Sequence, residues 1–203
     1  MRKWLTSKQG IPLALVSLLL LLSALPAWGD DSLPFELPPR SEILKIRSAV
    51  LETTRGTIYL ELFPEEAPWH VANFKYLADR EFYRGLTFHL YKPNFLVQGG
   101  DPQGTGFGGP GYTLPPEFSN RHHTFGTLGM ARKPDAVSPK GRPVNPQRRS
   151  SGSQFYIALG EAPDMDSRYT IFGKVIGGID ALEELRAGDK IQSLTVYIRE
   201  GGR

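Results

Sequence analysis

The sequence predicts a mainly β protein, an antiparallel barrel or sandwich that carries two helices. Three observations indicate this fold class: many short runs have apolar residues at every second position, only two segments have helical periodicity, and the connections are rich in glycine and proline. The strand-like runs do not alternate with helices, as they would in a parallel sheet. A chain of 203 residues can form one domain with a sizeable core and still carry additional segments.

The first 29 residues have the pattern of a signal peptide. Basic residues precede an apolar run over 11–22, and the small residues Ala27 and Gly29 stand where signal peptidase prefers them. An uncleaved membrane anchor is the alternative, but proline interrupts the run and leaves it short for a spanning helix. We therefore predict cleavage before Asp30, export to the periplasm, the thylakoid lumen or the medium, and no stable membrane insertion afterwards.

The composition of the remaining chain excludes several classes of function. The leader carries three of the 24 basic residues and none of the 21 acidic ones, so the formal charge falls from +3 to zero on cleavage. A domain without excess positive charge gives no indication of nucleic-acid binding. The chain has no cysteine, which excludes disulfides, thiol catalysis and thiolate metal sites.

The predicted elements begin after a proline-rich segment. Residues 30–46 contain three prolines and mixed charge and are predicted to form a mostly extended tether, after which the globular domain spans 47–200. The first two strands, 49–54 and 57–63, form a hairpin around Arg55-Gly56. The alternation of the second strand places three side chains inward, namely Ile58, Leu60 and Leu62.

Two segments are predicted to be helical. Pro68 opens the first, because proline is tolerated in the first turn, and Gly85 ends it. The apolar stripe of this helix consists of Val71, Phe74, Leu77 and Ala78. The second helix covers 178–186.

Six further strands complete the predicted domain, at 86–91, 95–99, 127–131, 154–159, 170–176 and 193–199. The inward residues of the last strand are Leu194, Val196 and Ile198. Residues 132–151 contain four prolines and a basic excess, and they are predicted to form a long polar loop.

Motifs of the common catalytic and cofactor sites are present only in incomplete form. Gly104, Gly106 and Gly109 match G-x-G-x-x-G, but the prolines that follow prevent the helix that a dinucleotide site needs. His122 and His123 are adjacent in a loop, without a third ligand at metal-binding spacing, and we expect both to be solvated. We predict no cofactor and no metal. The protein is therefore either a binding protein or an enzyme whose reaction needs none of these groups.

Rotation about an X-Pro peptide bond is a reaction of this kind. The barrier of about 18–20 kcal/mol comes from amide resonance, and uncatalysed exchange takes on the order of tens to hundreds of seconds. A catalyst needs an apolar hollow for the pyrrolidine ring and hydrogen-bond donors that favour the twisted state. It moves no proton and no electron.

The sequence provides a surface that fits this requirement. The period of two places apolar and amide side chains together on one face of each of two strands: Leu96 and Gln98 from 95–99, and Gln154 and Tyr156 from 154–159. Phe95 stands at the entrance of this face, and Met165 and Tyr169 come from the turn before the next strand. Each of these residues alone is equally consistent with ordinary core packing.

Six motifs follow one another after the tether: ELFPEEAPWHVANF (61–74), YRGLTFH (83–89), NFLVQGGDP with GTGFGG (94–109), GTLGMA (126–131), SGSQFYIAL (151–159) and YTIFGKVIGGID (169–180). In these motifs and their order, the chain resembles cyclophilin-type peptidyl-prolyl cis-trans isomerases of the exported bacterial or cyanobacterial type. The resemblance extends over essentially the whole domain. It implies a closed eight-stranded antiparallel barrel capped by two helices, with a proline pocket on the outer surface.

The resemblance also assigns site residues by position. The catalytic residues would be Phe95 and Gln98. The other residues that would bind substrate are Leu96, Ala131, Arg132 through its backbone, Gln154, Tyr156, Met165 and Tyr169. The implied partners are proline-containing polypeptides, and we expect a monomer.

One position departs from the family pattern. The family has an arginine after phenylalanine and histidine, as a donor to the twisted bond, whereas Phe88 and His89 are followed by Leu90. Loss of one preorganised donor typically costs about 10²–10³ in rate, although Lys92, two residues further on, or Arg132 could supply another cation. Two functions stay open: an isomerase that assists the folding of exported proteins, or a proline-binding or chaperone module with weak or no isomerase activity. A secreted barrel that binds an unrelated small ligand is the third alternative.

Overall fold

The computed structural model describes residues 33–199 except for 135, 137 and 143. The predicted signal peptide, 1–29, lies outside this part of the chain. The described elements are α1 (Arg40–Ile43), β1 (Ile46–Thr53), β2 (Gly56–Leu62), α2 (Pro68–Ala78), β3 (Leu90–Lys92), β4 (Leu96–Gly99), β5 (Thr113–Leu114), β6 (Thr127–Arg132), β7 (Ser150–Ala158), a 3₁₀ turn (Pro163–Met165), β8 (Ile171–Gly177), α3 (Ile179–Glu184) and β9 (Ile191–Ile198). None of the helices in the described chain combines the length and the apolar character that a membrane span requires.

The strands form one antiparallel sheet. Its main path runs β3-β4-β7-β6-β8-β2-β1-β9, and β5 pairs with β7 beside this path. All the neighbouring strands pair antiparallel. The predicted class, mainly β and antiparallel, is therefore confirmed.

The strands of the described residues do not pair into a closed barrel, so this prediction is wrong. No ladder there joins β3 to β9, the two ends of the path. The chain over 85–88, just before β3, instead binds 188–191, at the start of β9, through backbone hydrogen bonds of 2.8–2.9 Å. Because the backbone groups of 85–88 are used in this contact, the predicted strand 86–91 shortens to β3. The sheet is curled, and irregular chain spans the gap between its two ends.

The inward faces of the strands form the main core. Ile58, Leu60 and Leu62 of β2 are fully buried, as the alternation predicts, and Tyr59 between them is exposed. The strands β4 and β7 contribute Val97, Phe155 and Ile157 to this core.

The last strand departs from its predicted pattern at one end. Leu194 and Val196 are buried, but Ile198 is 51% exposed. Ile198 pairs with Ile46 of β1, and the register of the two strands shifts between Ile46 and Ser48. An irregularity of this kind bends a strand and changes which face its side chains occupy. The prediction that Ile198 points inward is therefore wrong.

The helix α2 has the predicted start and the predicted apolar face. It begins at Pro68, and the whole predicted stripe is buried. It ends at Ala78 and not near Gly85, because the chain turns back to place the Tyr83 ring 5.4 Å from the Phe74 ring. This helix packs against β9 and β7.

The second predicted helix corresponds to α3, which packs against β2. It follows Gly178, where the backbone has a φ of 75°. A Cβ at this position would lie 2.0 Å from the carbonyl oxygen of Thr57. Only glycine fits such a close approach, so the start of α3 is set by its contact with β2.

The described part of the predicted tether, 33–46, packs on the domain. It contains α1, and the side chain of Ile43 is only 2% exposed. The Phe35 ring stacks on the Tyr76 ring of α2 with a centroid distance of 4.9 Å. The stretch is not extended throughout, because Arg40–Ile43 forms α1, and its apolar side chains contact the rest of the fold.

The long loop between β6 and β7 is attached to β5, a strand that the sequence analysis did not predict. The Asn145 side chain accepts the backbone N–H of Arg149 at 2.9 Å. Arg149 Nε in turn donates to Thr113 Oγ1 at 2.6 Å. A two-residue strand is too short to show the alternation by which longer strands are recognised.

Candidate active site

The adjacent strands β4 and β7 place the predicted site residues on the outer face of the sheet. Gln98 pairs with Tyr156, and directly opposed residues of an antiparallel pair share a face. Leu96 is two residues from Gln98 and therefore lies on that face as well. Val97 and Phe155 are fully buried in the main core on the other side.

A second group of apolar side chains, separate from the main core, covers this outer face. We call it the apolar cluster: its buried members are Leu96, Ala131, Tyr156, Ala162 and Met165, and Leu90, Phe95 and Tyr169 pack against them. The structure thus brings together all the apolar residues of the predicted pocket and groove. Sequence reasoning missed Ala162, whose methyl group carries no recognisable signal.

Two glutamine amides lie next to each other at the polar edge of this face. Gln98 Nε2 donates to Gln154 Oε1 at 2.9 Å and lies 3.3 Å from His89 Nε2. Gln154 Nε2 donates to the carbonyl oxygens of Gly106 at 3.1 Å and Gly108 at 2.7 Å. We call Gln98 and Gln154 the amide pair. Because these bonds fix both amides, the polar edge is preorganised.

The glycine-rich loop encloses a carboxylate of the chain itself. Asp101 is buried and accepts the backbone N–H groups of Gln103 at 2.8 Å, Thr105 at 2.9 Å and Gly106 at 2.5 Å. Burial raises the pKa of Asp101, but hydrogen bonds from the loop backbone outweigh this effect and hold the pKa below its usual value. The loop that contacts the amide pair is therefore built around an anion that the protein supplies.

His123, which was predicted to be solvated, contacts Tyr156. His123 is 2% exposed, and its Nε2 lies 2.8 Å from the Tyr156 hydroxyl. Its Nδ1 lies 2.7 Å from Asp166 Oδ1, which also accepts the backbone N–H of His123 at 2.8 Å. The prediction is wrong for His123 because Asp166, which follows the 3₁₀ turn, holds this segment against the sheet. His122 is exposed, as expected.

Burial and hydrogen bonding determine the protonation of these three groups. Burial lowers the pKa of His123, and the neighbouring Asp166 carboxylate opposes this effect only in part. Burial raises the pKa of Asp166, but hydrogen bonds from His122 and His123 outweigh it and hold the pKa at about 2. Burial raises the pKa of Tyr156 well above 10. Near neutral pH, His123 and Tyr156 are therefore neutral and Asp166 is ionised.

The two adjacent histidines share a carboxylate and do not form part of a larger cluster. His122 Nδ1 lies 2.7 Å from Asp166 Oδ2, the oxygen that His123 does not use. Over the described part of the chain, no group of three or more His, Asp or Glu side chains is arranged to hold a metal ion. Hydrogen bonds from the histidines therefore satisfy this carboxylate.

Leu90 occupies the position at which the resemblance implies arginine. It pairs with Gln98 across β3 and β4, and its side chain packs on the apolar cluster. The leucine therefore extends the apolar surface next to the amide pair, where a guanidinium group would have supplied hydrogen-bond donors.

The two cations that could replace the missing arginine donor lie beside aromatic rings of the site. The guanidinium carbon of Arg132 lies 5.0 Å from the centroid of the Tyr169 ring, and its Nε donates to the carbonyl oxygen of Arg168 at 2.7 Å. Lys92 Nζ lies 5.8 Å from the centroid of the Phe95 ring. Arg132 is nearly buried, whereas Lys92 is exposed. Positive charge is therefore present around the apolar cluster, although not at position 90.

The sequence matches a known family over most of its length. The model of the family described as cyclophilin type peptidyl-prolyl cis-trans isomerase/CLD matches residues 48–200. A peptidyl-prolyl cis-trans isomerase of Synechococcus elongatus is 41% identical over 150 residues, which cover 73% of this chain and 94% of that protein. Peptidyl-prolyl cis-trans isomerase B of Bacillus subtilis is 40% identical over 141 residues, 68% of this chain and 90% of that protein.

Solved structures agree with this match. A crystal structure of a Cryptosporidium parvum cyclophilin type peptidyl-prolyl cis-trans isomerase has a TM-score of 0.61 at 27% identity and covers 74% of this chain and 97% of its own. A second structure of that protein, in the presence of the dipeptide Ala-Pro, has a TM-score of 0.61 at 28% identity and covers 74% of this chain and 99% of its own. A cyclophilin from Hirschia baltica, with a TM-score of 0.62 at 22% identity and 74% of each chain covered, shares the fold.

Proposed function

Because the chain belongs to the cyclophilin-type peptidyl-prolyl cis-trans isomerase family, we propose that it rotates X-Pro peptide bonds on the outer face of β4 and β7. The apolar cluster binds the pyrrolidine ring, and Phe95 and Gln98 act as the catalytic residues. The observation that carries this proposal is that Gln98 of the amide pair lies directly opposite Tyr156 of the apolar cluster. An apolar ring and a polar peptide linkage can therefore be bound side by side.

The proposed mechanism is differential binding of the twisted peptide bond. Resonance in the planar amide creates a barrier of about 18–20 kcal/mol. The apolar cluster holds the proline ring still while the residue before it rotates. In the twisted state the proline nitrogen regains its lone pair, and a hydrogen bond donated to this nitrogen would favour the twisted state over both planar isomers. The reaction needs no proton transfer, which fits a polar edge that is formed by two neutral amides.

The neighbouring elements supply the remaining contacts of the proposed site. Ala131 lies in the apolar cluster at the end of β6, where the backbone of Arg132 continues the groove for residues that precede the proline. Met165 of the 3₁₀ turn and Tyr169, which follows that turn, complete the apolar cluster. The substrates of this surface are proline-containing polypeptides.

Because position 90 is a leucine, we propose that catalysis is weak. A leucine cannot donate to the twisted bond, and loss of one such donor typically costs about 10²–10³ in rate. We therefore expect a slow isomerase that still binds proline peptides. The alternative is a proline-binding or chaperone module without measurable turnover, and the same leucine supports it.

An isomerisation assay with a short proline peptide tests the proposal on the purified protein. Phe95→Ala and Gln98→Ala are each expected to lower kcat/KM at least about tenfold, because each removes a group that contacts the rotating bond or its ring. Tyr59→Ala is the matched control, since it removes an exposed aromatic ring of β2 outside the site. If wild-type protein accelerates exchange no more than both site variants, isomerase activity at this face is excluded. Peptide titration then decides whether the binding alternative applies.

We further propose that the protein is exported and assists the folding of exported polypeptides as a monomer. The support is the leader pattern over 1–29, in which basic, apolar and small residues follow in order. Expression in a bacterial host is expected to yield a periplasmic chain that begins at Asp30. Gly29→Phe should block the cleavage. A full-length chain in the cytoplasm would contradict export.

The oligomeric state is tested separately by light scattering on the purified protein. A dimer there would contradict the monomer.

A further inference from the structure

Tyr156 of the proposed proline pocket is one end of a hydrogen-bond chain whose other members, His123 and Asp166, have no part in the mechanism. The Tyr156 hydroxyl contacts His123, and His123 contacts Asp166, with distances of 2.8 Å and 2.7 Å. The three residues come from β7, from the loop before β6 and from the chain after the 3₁₀ turn. This hydrogen-bond chain therefore connects separate segments to one ring of the apolar cluster.

The direction of each hydrogen bond follows from the charge of Asp166. An ionised carboxylate can only accept, so the hydrogen of neutral His123 is on Nδ1. His123 Nε2 then has a free lone pair, and it accepts the Tyr156 O–H at 2.8 Å. The hydroxyl of a tyrosine that is 1% exposed is therefore paired inside the protein.

The strand β6 makes room for this arrangement. Gly129 pairs with Tyr156 across β6 and β7. A Cβ at Gly129 would lie 2.2 Å from the Tyr156 hydroxyl oxygen and 2.3 Å from Cζ of the ring. The absent side chain of Gly129 admits the phenol, and His123 receives the hydroxyl at its end. Gly129 of β6 and His123 of the loop before it therefore both accommodate the Tyr156 side chain.

Resting on the isomerase function proposed above, we propose that His123 is a positioning residue that holds the Tyr156 ring in place for the substrate proline. Because His123 accepts the hydrogen bond of the hydroxyl group, the apolar cluster contacts only the carbon atoms of the ring. Without this acceptor, a buried hydroxyl would be unsatisfied, and such groups are costly. The ring would then move until its hydroxyl met water or another acceptor. The role of His123 therefore depends on the Tyr156 hydroxyl.

A double-mutant cycle tests this dependence. His123→Leu is made in the wild-type protein and in the Tyr156→Phe variant, and kcat, KM and peptide Kd are measured for all four proteins. In the wild-type background, His123→Leu is expected to lower kcat/KM about tenfold, since it leaves the hydroxyl unsatisfied. In the Tyr156→Phe background, the same change is expected to alter kcat/KM less than about twofold, because no hydroxyl remains to be held.

Two further variants separate positioning from general structural damage. His123→Gln keeps an acceptor for the hydroxyl and a donor for Asp166, so its kcat/KM should lie well above that of His123→Leu. His122→Leu removes the other histidine on Asp166 without touching Tyr156, and its kcat/KM should stay within about twofold of wild type. Thermal unfolding of each variant checks that it is folded at the assay temperature.

Two results would overturn the positioning role. One is a loss of equal size in both backgrounds, which would show that His123 does not act through the hydroxyl. The other is no loss in the wild-type background. If wild-type protein neither turns over nor binds the peptide, the isomerase function itself fails, and nuclear Overhauser contacts between the Tyr156 ring and the Met165 methyl decide the role of His123. Contacts that His123→Leu leaves unchanged would then overturn it.

Discussion

Leu90 and Gln98 lie opposite each other on β3 and β4, so a side chain at position 90 shares the outer face with Gln98. We predict that Leu90→Arg raises kcat/KM by about 10²-fold, because it adds charged donors next to the twisted bond. Peptide Kd should change less than about threefold, since the gain concerns the transition state and not ground-state binding. Steady-state kinetics and titration calorimetry on the same preparations measure the two quantities.

Leu90→Met is the matched variant, because it has a similar volume and no charge. It should not produce the gain. A gain from methionine would mean that shape and not hydrogen bonding limits the wild-type rate. An arginine variant no faster than wild type would show that the donor is not needed at this position, and Arg132 or Lys92 would be the next side chains to replace.

The tyrosine–histidine–aspartate chain also predicts two pH windows for stability. The pKa of His123 is lowered from 6.5 by burial, so below pH 6.5 the unfolded chain binds a proton that the native protein does not. The free energy of unfolding therefore falls as the pH drops below 6.5. Burial raises the pKa of Asp166, but the histidine hydrogen bonds lower it from 3.8 to about 2, so the stability that this group contributes is complete above pH 3.8 and is lost towards pH 2.

Urea unfolding at several pH values checks the upper window. Burial lowers the pKa of His89 as well, so a slope in the wild-type protein alone does not identify His123. Between about pH 7.5 and pH 5, the free energy of unfolding of His123→Leu should fall less steeply than that of wild type. Parallel slopes for the two proteins would contradict the assignment.

At the scale of elements, β6 and β7 depend on a close contact at Gly129. An added Cβ would overlap the Tyr156 ring, so we predict that Gly129→Ala lowers the free energy of unfolding by about 1–3 kcal/mol. Peptide affinity should fall with it, because the displaced ring belongs to the apolar cluster. Gly109→Ala is the control, since no atom lies within 4 Å of a Cβ built there. Equal unfolding midpoints for both variants would show that the ring can move without cost.

At the scale of the whole molecule, the chain before β1 is part of the fold. Ile43 is 2% exposed, and we predict that Ile43→Ala lowers the free energy of unfolding by about 2–4 kcal/mol. Glu42→Ala, an exposed neighbour in the same helix, should change it by less than about 0.5 kcal/mol. Denaturant unfolding compares the two variants. A change for Ile43→Ala as small as that expected for Glu42→Ala would mean that burial of Ile43 does not stabilise the domain.

Local patterns predicted most of the elements and the outward face of the site. The period of two placed Leu96 and Gln98 on one side of β4, with Val97 in the core, and the structure agrees. The same pattern predicted Tyr156, whereas Met165 and Tyr169 were assigned from the turn before β8 and from family resemblance. His123 was not, because a loop histidine gives no sign of the buried hydroxyl and carboxylate that it meets after folding.

The sequence by itself determined which side chains of β2, β4 and β7 and which stripe of α2 face the interior, because burial of an amphipathic segment depends on its own periodicity. It also determined the chemical character of the site, apolar with neutral amides and without the arginine. Only the tertiary structure decided how the sheet ends meet through 85–88 and 188–191, that Ile43 is buried, and that Tyr156, His123 and Asp166 form one chain. These contacts join residues far apart in sequence, and their geometry depends on the packing of all the elements between them.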